Sequence, residues 1–382
     1  MIQKKIRVIF LLVSFVVVSI FSIYYLITSY IIDTEFDTQI TNGNMITYSK
    51  EWFKEPLKNV STEYLENCQV CKFPVRNFKF NSQKTDFLMT VLLNNFIGLM
   101  PLSRTIRATG TKARVFIFMD TDAIAKLNQF EKQVLNNCSI DIIDVGNIGR
   151  YPHYAYCFIR FYIYYDFLKN LPNEEISRVI LFDGQDVIFQ GDPFYEGFTS
   201  DQLILTVEDR LIHESRWAKR TYKKYFKKIK ADLKLYYRPM INAGIALGGK
   251  KTIMAFIEAF TKRFSLEDLS IQVKKMQYVD QAIVHALIYD GDLEKQYGIR
   301  VSLVGTQSPY ASISLGCWGK KCARLRPNDY RVGYFHMRNK KRYQFILHQY
   351  NRYPELIDSY RAACPMLGGE NKKNYLKGLE KA

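Results

Sequence analysis

Arg178-Val179-Ile180-Leu181-Phe182-Asp183-Gly184-Gln185-Asp186-Val187-Ile188-Phe189-Gln190-Gly191-Asp192-Pro193-Phe194 sets two acidic residues in a bend between two apolar runs. Val179 to Phe182 has the length and composition of a buried strand, and Gly184 lets the backbone turn directly after the first acid. The stretch therefore reads as strand, acidic turn, strand. Asp183 and Asp186 fall where a strand ends, which is the edge at which open α/β sheets bind ligands. Two carboxylates held there can share a hard divalent cation, and such a cation can neutralise a diphosphate leaving group. Asp and Gly are also ordinary turn residues, so the turn alone leaves a purely structural role open.

The chain on either side supplies the context. Phe87 to Leu93 and Arg114 to Met119 read as strands, as do Ile140 to Val145 and Val179 to Phe182. Between them lie a helix ending near Thr109-Gly110, a helix capped by Thr121 and running to about Leu135, and an aromatic helix from Tyr154 to Leu168. Strands alternating with helices indicate βαβ units and a parallel sheet covered on both faces. The expected fold class is α/β and Rossmann-like. Such a half usually binds a nucleotide at its strand ends, so Asn94 or Asn95 after the first strand and Asp120 after the second are candidate contacts to its base or ribose, with loop capping as the alternative. Farther on, Leu203 to Val207 reads as a strand, and Arg210 to Lys230 as a basic helical segment whose charges suit a solvated face, an acceptor or a membrane surface.

Residues 8–32 carry no formal charge, and 25 helical residues would span the ~30 Å hydrocarbon core with some tilt. Lys4, Lys5 and Arg7 precede this segment, whereas Asp33, Glu35 and Asp37 follow it. The positive-inside rule then predicts a single-pass type II protein with residues 1–7 in the cytosol and the remainder in the lumen of the endoplasmic reticulum or Golgi apparatus. A cleaved signal peptide is the competing reading, but the segment is longer than such peptides need and shows no small-residue cleavage site. Residues 33–80 are then a lumenal stem, 81–360 the globular domain and 361–382 a basic C-terminal tail.

Net charge is +17, which favours anionic partners. A lumenal domain does not meet nucleic acid, so location narrows those partners to phosphates, acidic glycans and lipid headgroups. The same topology makes Asn59-Val60-Ser61 and Asn137-Cys138-Ser139 candidate glycosylation acceptors. It also places the seven cysteines in an oxidising compartment, where an odd count leaves at least one unpaired within the chain. Cys317 and Cys322 suit a small loop disulfide, Cys68 or Cys71 suits a more distant partner, and Cys157 suits a buried free thiol.

With these motifs the chain, from about Asp86 to Pro354, resembles the GT-A nucleotide-sugar glycosyltransferases, in particular the glycogenin-like class and related Golgi enzymes. The resemblance rests on Arg160-Phe161-Tyr162 ahead of the acidic turn, on Ile241-Asn242-Ala243-Gly244-Ile245, and on Tyr278-Val279-Asp280-Gln281. It implies a GT-A domain that transfers a hexose from a nucleotide-diphosphate sugar to a glycan, protein or lipid, assisted by Mn²⁺ or Mg²⁺. By that resemblance Arg160 reaches the donor's diphosphate or sugar, Asn242 and Gly244 lie beside the sugar, and Asp280 with Gln281 faces the reacting groups. A metal-ligating histidine is implied beside Asp183 and Asp186, with His348 the first candidate and His336 the second. The family's usual acidic motif is Asp-x-Asp; the extra residue here means that the bend must bring the carboxylates together. Arg160 could instead be a helix arginine reaching for solvent, and Asp280 a helix cap. A non-catalytic membrane-tethered binding protein on the same fold, or a lumenal hydrolase, is the alternative function.

Overall fold

The computed structural model describes residues 67–75, 81–94, 96–146, 156–171, 176–195, 197–225, 233–264, 279–305, 331–334 and 344–372, with Ser19 and Tyr375. Among them no helix is long and apolar enough to cross a membrane; the anchor expected over residues 8–32 lies outside the described residues apart from Ser19.

The molecule is an α/β protein built on a mixed seven-stranded sheet. Its strands are β1 (Phe87–Leu92), β2 (Arg114–Met119), β3 (Ile140–Asp144), β4 (Arg178–Phe182), β6 (Gln202–Leu211), β7 (Pro239–Gly249) and β8 (Arg300–Val304), in the order β3-β2-β1-β4-β7-β6-β8. The first four are parallel, β7 runs antiparallel to both β4 and β6, and β6 is parallel to β8. Only β7 is reversed, so its beginning lies beside the carboxyl ends of the others.

Side chains alternate across the sheet as the two-residue strand period requires. Phe87, Met89, Phe116, Phe118, Val179 and Leu181 face a core shared with α4 (Tyr156–Lys169), α6 (Lys250–Arg263) and α7 (Val279–Tyr289). Leu88, Leu92, Val115, Ile117, Ile180 and Phe182 face the opposite core, with α1 (Leu99–Ala108) and α3 (Gln129–Asn137). Both faces are buried, which is why these strands read as continuous apolar runs.

One expected helix is two. α2 (Thr121–Ala125) is capped by Asp120, whose side chain accepts from Ala123 N, so the cap is Asp120 and not Thr121. α3 then starts afresh at a capping box in which Asn128 and Glu131 bond each other's backbone N–H. The segment from Arg210 also departs from expectation. Arg210 belongs to β6, and the basic helix α5 spans Arg216–Tyr225. The parallel sheet expected for the first half is present in β1 to β4, and the whole sheet is mixed because β7, in the less regular second half, enters it reversed.

Two disulfides, Cys68–Cys138 and Cys71–Cys364, tie residues 68–71 to the domain and to residue 364, and Cys157 is the free cysteine among the described residues, partly buried. Arg104 strengthens that tie by donating to the Gln69 and Pro365 carbonyls. The domain therefore begins before residue 81, and α8 (Pro354–Ala363) crosses the expected boundary at 360. Cys317, Cys322 and Asn59 lie outside the described residues.

Candidate functional site

The acidic turn leaves β4 and enters β5 (Val187–Phe189), which pairs not with the large sheet but with β9 (Ile346–His348). That small antiparallel ladder sets Val187 opposite His348, and Gln349 N donates to the Asp186 carbonyl at 2.6 Å. On the other side of the turn, Asp183 N donates to the Gly244 carbonyl at 2.8 Å, which extends the β4–β7 ladder by one residue. Gly98 supports the bend from below: at φ 80° it occupies the left-handed region, and a Cβ there would lie 2.6 Å from the Gln185 carbonyl oxygen.

This arrangement brings Asp183, Asp186 and His348 together, with one ligand atom from each within 4.8 Å of the others. His348 Nε2 lies 3.2 Å from Asp183 Oδ2 and 3.4 Å from Asp186 Oδ1. The imidazole is almost wholly buried, yet neither ring nitrogen makes a hydrogen bond among the described residues. Burial works against protonation, but the Asp186 and Asp183 carboxylates outweigh it and raise the His348 imidazole to about 10. The cluster is thus a place for positive charge. Gly244 leaves the space open, since a Cβ there would come within 2.5 Å of both Asp183 Oδ2 and His348 Cε1. Two carboxylates and an imidazole converging on one point suit Mn²⁺ better than Mg²⁺, which prefers oxygen ligands.

Arg160, on α4, forms the second half of the site. Its Nη1 is hydrogen-bonded and ion-paired to Asp183 Oδ1, while Nη2 donates to the Ala243 carbonyl at 2.9 Å and to Asp280 Oδ2 at 3.2 Å. The planar guanidinium therefore bridges two acids. Burial alone would raise the Asp183 carboxyl, but Arg160 and His348 hold it well below the usual range. Asp280, on the first turn of α7, is pushed up by burial, with Arg160 opposing.

Asn242 accepts from Gly244 N at 2.8 Å, and Gln281 Nε2 donates to the Ile241 carbonyl at 2.7 Å. Both side chains also meet a residue that sequence reasoning missed. Glu208 Oε1 receives Gln281 Nε2 at 3.2 Å and Asn242 Nδ2 at 3.4 Å, while its other oxygen receives Arg210 Nε at 2.8 Å. An acidic residue at the outer end of an apolar strand was the available signal.

Asn94 and Asp120 stand farther along the same sheet edge, beyond β4 on β1 and β2. Asn94 is left-handed at φ 62°, and its N–H donates to Asp120 Oδ2 at 3.0 Å. The Asp120 carboxylate is fully buried and occupied by the Asn94 and Ala123 N–H groups, so its side chain serves the fold. Burial raises its pKa, with those two bonds opposing. His336 lies outside the described residues.

No family model matches this chain, and no curated protein matches it.

Proposed function

We propose that this protein is a GT-A-type glycosyltransferase that moves a hexose from a nucleotide-diphosphate sugar to a hydroxyl acceptor, with Mn²⁺ or Mg²⁺ as cofactor. The observation that carries this reading is the convergence of Asp183, Asp186 and His348 beside the Arg160–Asp280 pair at the carboxyl edge of the sheet. In this reading Asp183, Asp186 and His348 hold the ion. Bound there, it would supply positive charge that stabilises the departing diphosphate.

The chain's own groups do the remaining work. Arg160 fixes the direction of both the Asp183 and Asp280 carboxylates and adds a permanent cation to the phosphate side of the site. Asp280, on the first turn of α7, presents a hydrogen-bond acceptor to the sugar or to the attacking hydroxyl, and the adjacent Gln281, its NH₂ held by the Ile241 carbonyl and Glu208, keeps its amide oxygen for the same purpose. Gly244 removes the side chain that would otherwise fill the space between the metal ligands and Asn242. Asn94, at the end of β1, stands on the side where a nucleoside would lie.

The test is a panel of nucleotide-diphosphate sugars presented to the full chain in detergent, with and without Mn²⁺. The reading expects one donor to raise the unfolding midpoint by about 5 °C, as a ligand near 100 times its Kd would. The same donor should release nucleoside diphosphate on turnover. Stabilisation without any release would support a binding protein instead, and a response to no donor would remove the reading.

A further inference from the structure

We propose that the acceptor of this enzyme is an anionic glycan, bearing sulfate, carboxylate or phosphate groups, and that it runs from Gln281 onto a basic and aromatic surface formed by α5 and residues 233–238. The proposal rests on the glycosyltransferase reading and specifies its acceptor. Residues 210–238 contain eleven Lys and Arg against two acidic residues, a concentration that supplies much of the net charge of +17.

The fold puts this surface next to the site. Gln281 and Asp280 occupy the first turn of α7, and one residue later the Ala282 carbonyl accepts from the Tyr222 hydroxyl of α5. Tyr222 also meets His285 Nδ1 at 2.7 Å. From the other direction, Glu208 holds both Gln281 and Arg210, and the 3-10 turn Ile212–Glu214 then packs on residues 233–238, with Ile212 N donating to the Arg238 carbonyl. The reversed strand β7 begins at Pro239, three residues or about 10 Å before Asn242. The surface and the reacting centre thus share one edge of the sheet.

Arg216, Lys219 and Arg220 are exposed on α5, and Lys234, Tyr237 and Arg238 are exposed beside it. Tyr237 is 74% exposed and stands 5.3 Å from the His213 ring, an aromatic platform among cations. That combination fits a sugar chain with negative groups: the ring takes the apolar face of a sugar and the cations take its charges. A lipid surface fits less well. A helix that lies in a membrane interface needs a free apolar face, whereas Ala218 and Tyr222 of α5 are already buried in the core.

The experiment compares the full chain with the triple variant Arg216→Glu, Lys219→Glu, Arg220→Glu, both in nanodiscs of neutral lipid. The probes are a sulfated linear glycan, its desulfated counterpart, and phosphatidylserine vesicles. The wild type should retain the sulfated glycan only, and the variant should bind it at least about tenfold more weakly, with raised salt removing the difference. Equal binding of the desulfated glycan, equal binding by the variant, or capture by the vesicles in place of the glycan would overturn the proposal. Donor stabilisation with Mn²⁺ is measured on the same samples. Its presence in both proteins shows that the variant is folded, and its absence in the wild type would count against the transferase reading separately from the glycan result.

Discussion

His348 Nε2 lies 3.2 Å from Asp183 Oδ2, although the two residues belong to different sheets and to distant parts of the chain. The contact exists because the chain bends at Gly184-Gln185 and then pairs β5 with β9. It makes His348 the residue that turns an acidic turn into a cluster of three side chains able to hold a metal ion. His348→Ala should therefore abolish stabilisation by Mn²⁺ while leaving far-ultraviolet circular dichroism unchanged. Retained Mn²⁺ stabilisation would place the ion elsewhere.

Gly244 tests the same cluster from the opposite wall. A Cβ at this position meets Asp183 Oδ2, His348 Cε1 and Asn242 Oδ1, all inside 3.0 Å. Gly244→Ala is expected to weaken Mn²⁺ binding at least about tenfold, or 1.4 kcal/mol, by displacing two ligands at once. Calorimetric titration with Mn²⁺ measures it.

Arg160 should matter to stability as well as to turnover. It is nearly buried and faces both Asp183 and Asp280, so Arg160→Ala leaves two carboxylates close together without their shared cation. Removing one partner of a buried ion pair costs about 3 kcal/mol. Urea unfolding should show a loss of that size, and Arg160→Lys should recover only part of it, because an ammonium lacks the fork that spans two acids.

Glu208 acts through its neighbours. Glu208→Gln keeps the shape but gives the side chain an NH₂ group that competes with those of Gln281 and Asn242, and it leaves Arg210 without its carboxylate. Steady-state kinetics should show kcat falling at least about tenfold with the donor KM little changed, a split that a merely stabilising residue would not produce.

His285 gives the fold a defined pH response. It accepts from Ile241 N at 2.7 Å and donates to the Tyr222 hydroxyl, and burial lowers its pKa to about 3, with the Ile241 carbonyl 3.0 Å from Nε2 opposing. Between that value and the ordinary 6.5, the unfolded chain binds a proton that the native protein does not. Stability therefore falls as pH falls through this window, by up to about 1.4 kcal/mol per pH unit. Urea midpoints between pH 6.5 and 4.5 should decline more steeply for the wild type than for His285→Gln, which cannot titrate.

The parts of this architecture that follow a local rule were legible in the residues. β1, β2 and β4 are doubly buried apolar runs, Gly110 closes α1 in the left-handed region, and Asp280 sits at the start of a helix. Asn128 and Glu131 also carried a local signal, the capping box, which a reading of one uninterrupted helix passed over. Other features depend on distant partners. Nothing in Pro239–Gly249 announces that β7 runs backwards, and Glu208, which meets Gln281 73 residues away, lies where β6 shifts register between Leu205 and Leu211. The pairing of Cys68 with Cys138 and of Cys71 with Cys364 is likewise beyond what spacing can specify. For Asp183 and Asp186 the three-residue spacing demanded a bend, and the bend is there; the partner that gives it purpose comes from β9.

The most direct measurement is a titration of the full chain in detergent with Mn²⁺, followed by electron paramagnetic resonance, for the wild type and for Asp183→Asn, Asp186→Asn. The wild type should bind one Mn²⁺ per chain, with a spectrum that changes on adding the donor nucleotide sugar, and the double variant should bind none. A double variant that binds Mn²⁺ as the wild type does, or a wild type that binds none, would contradict the proposed metal site.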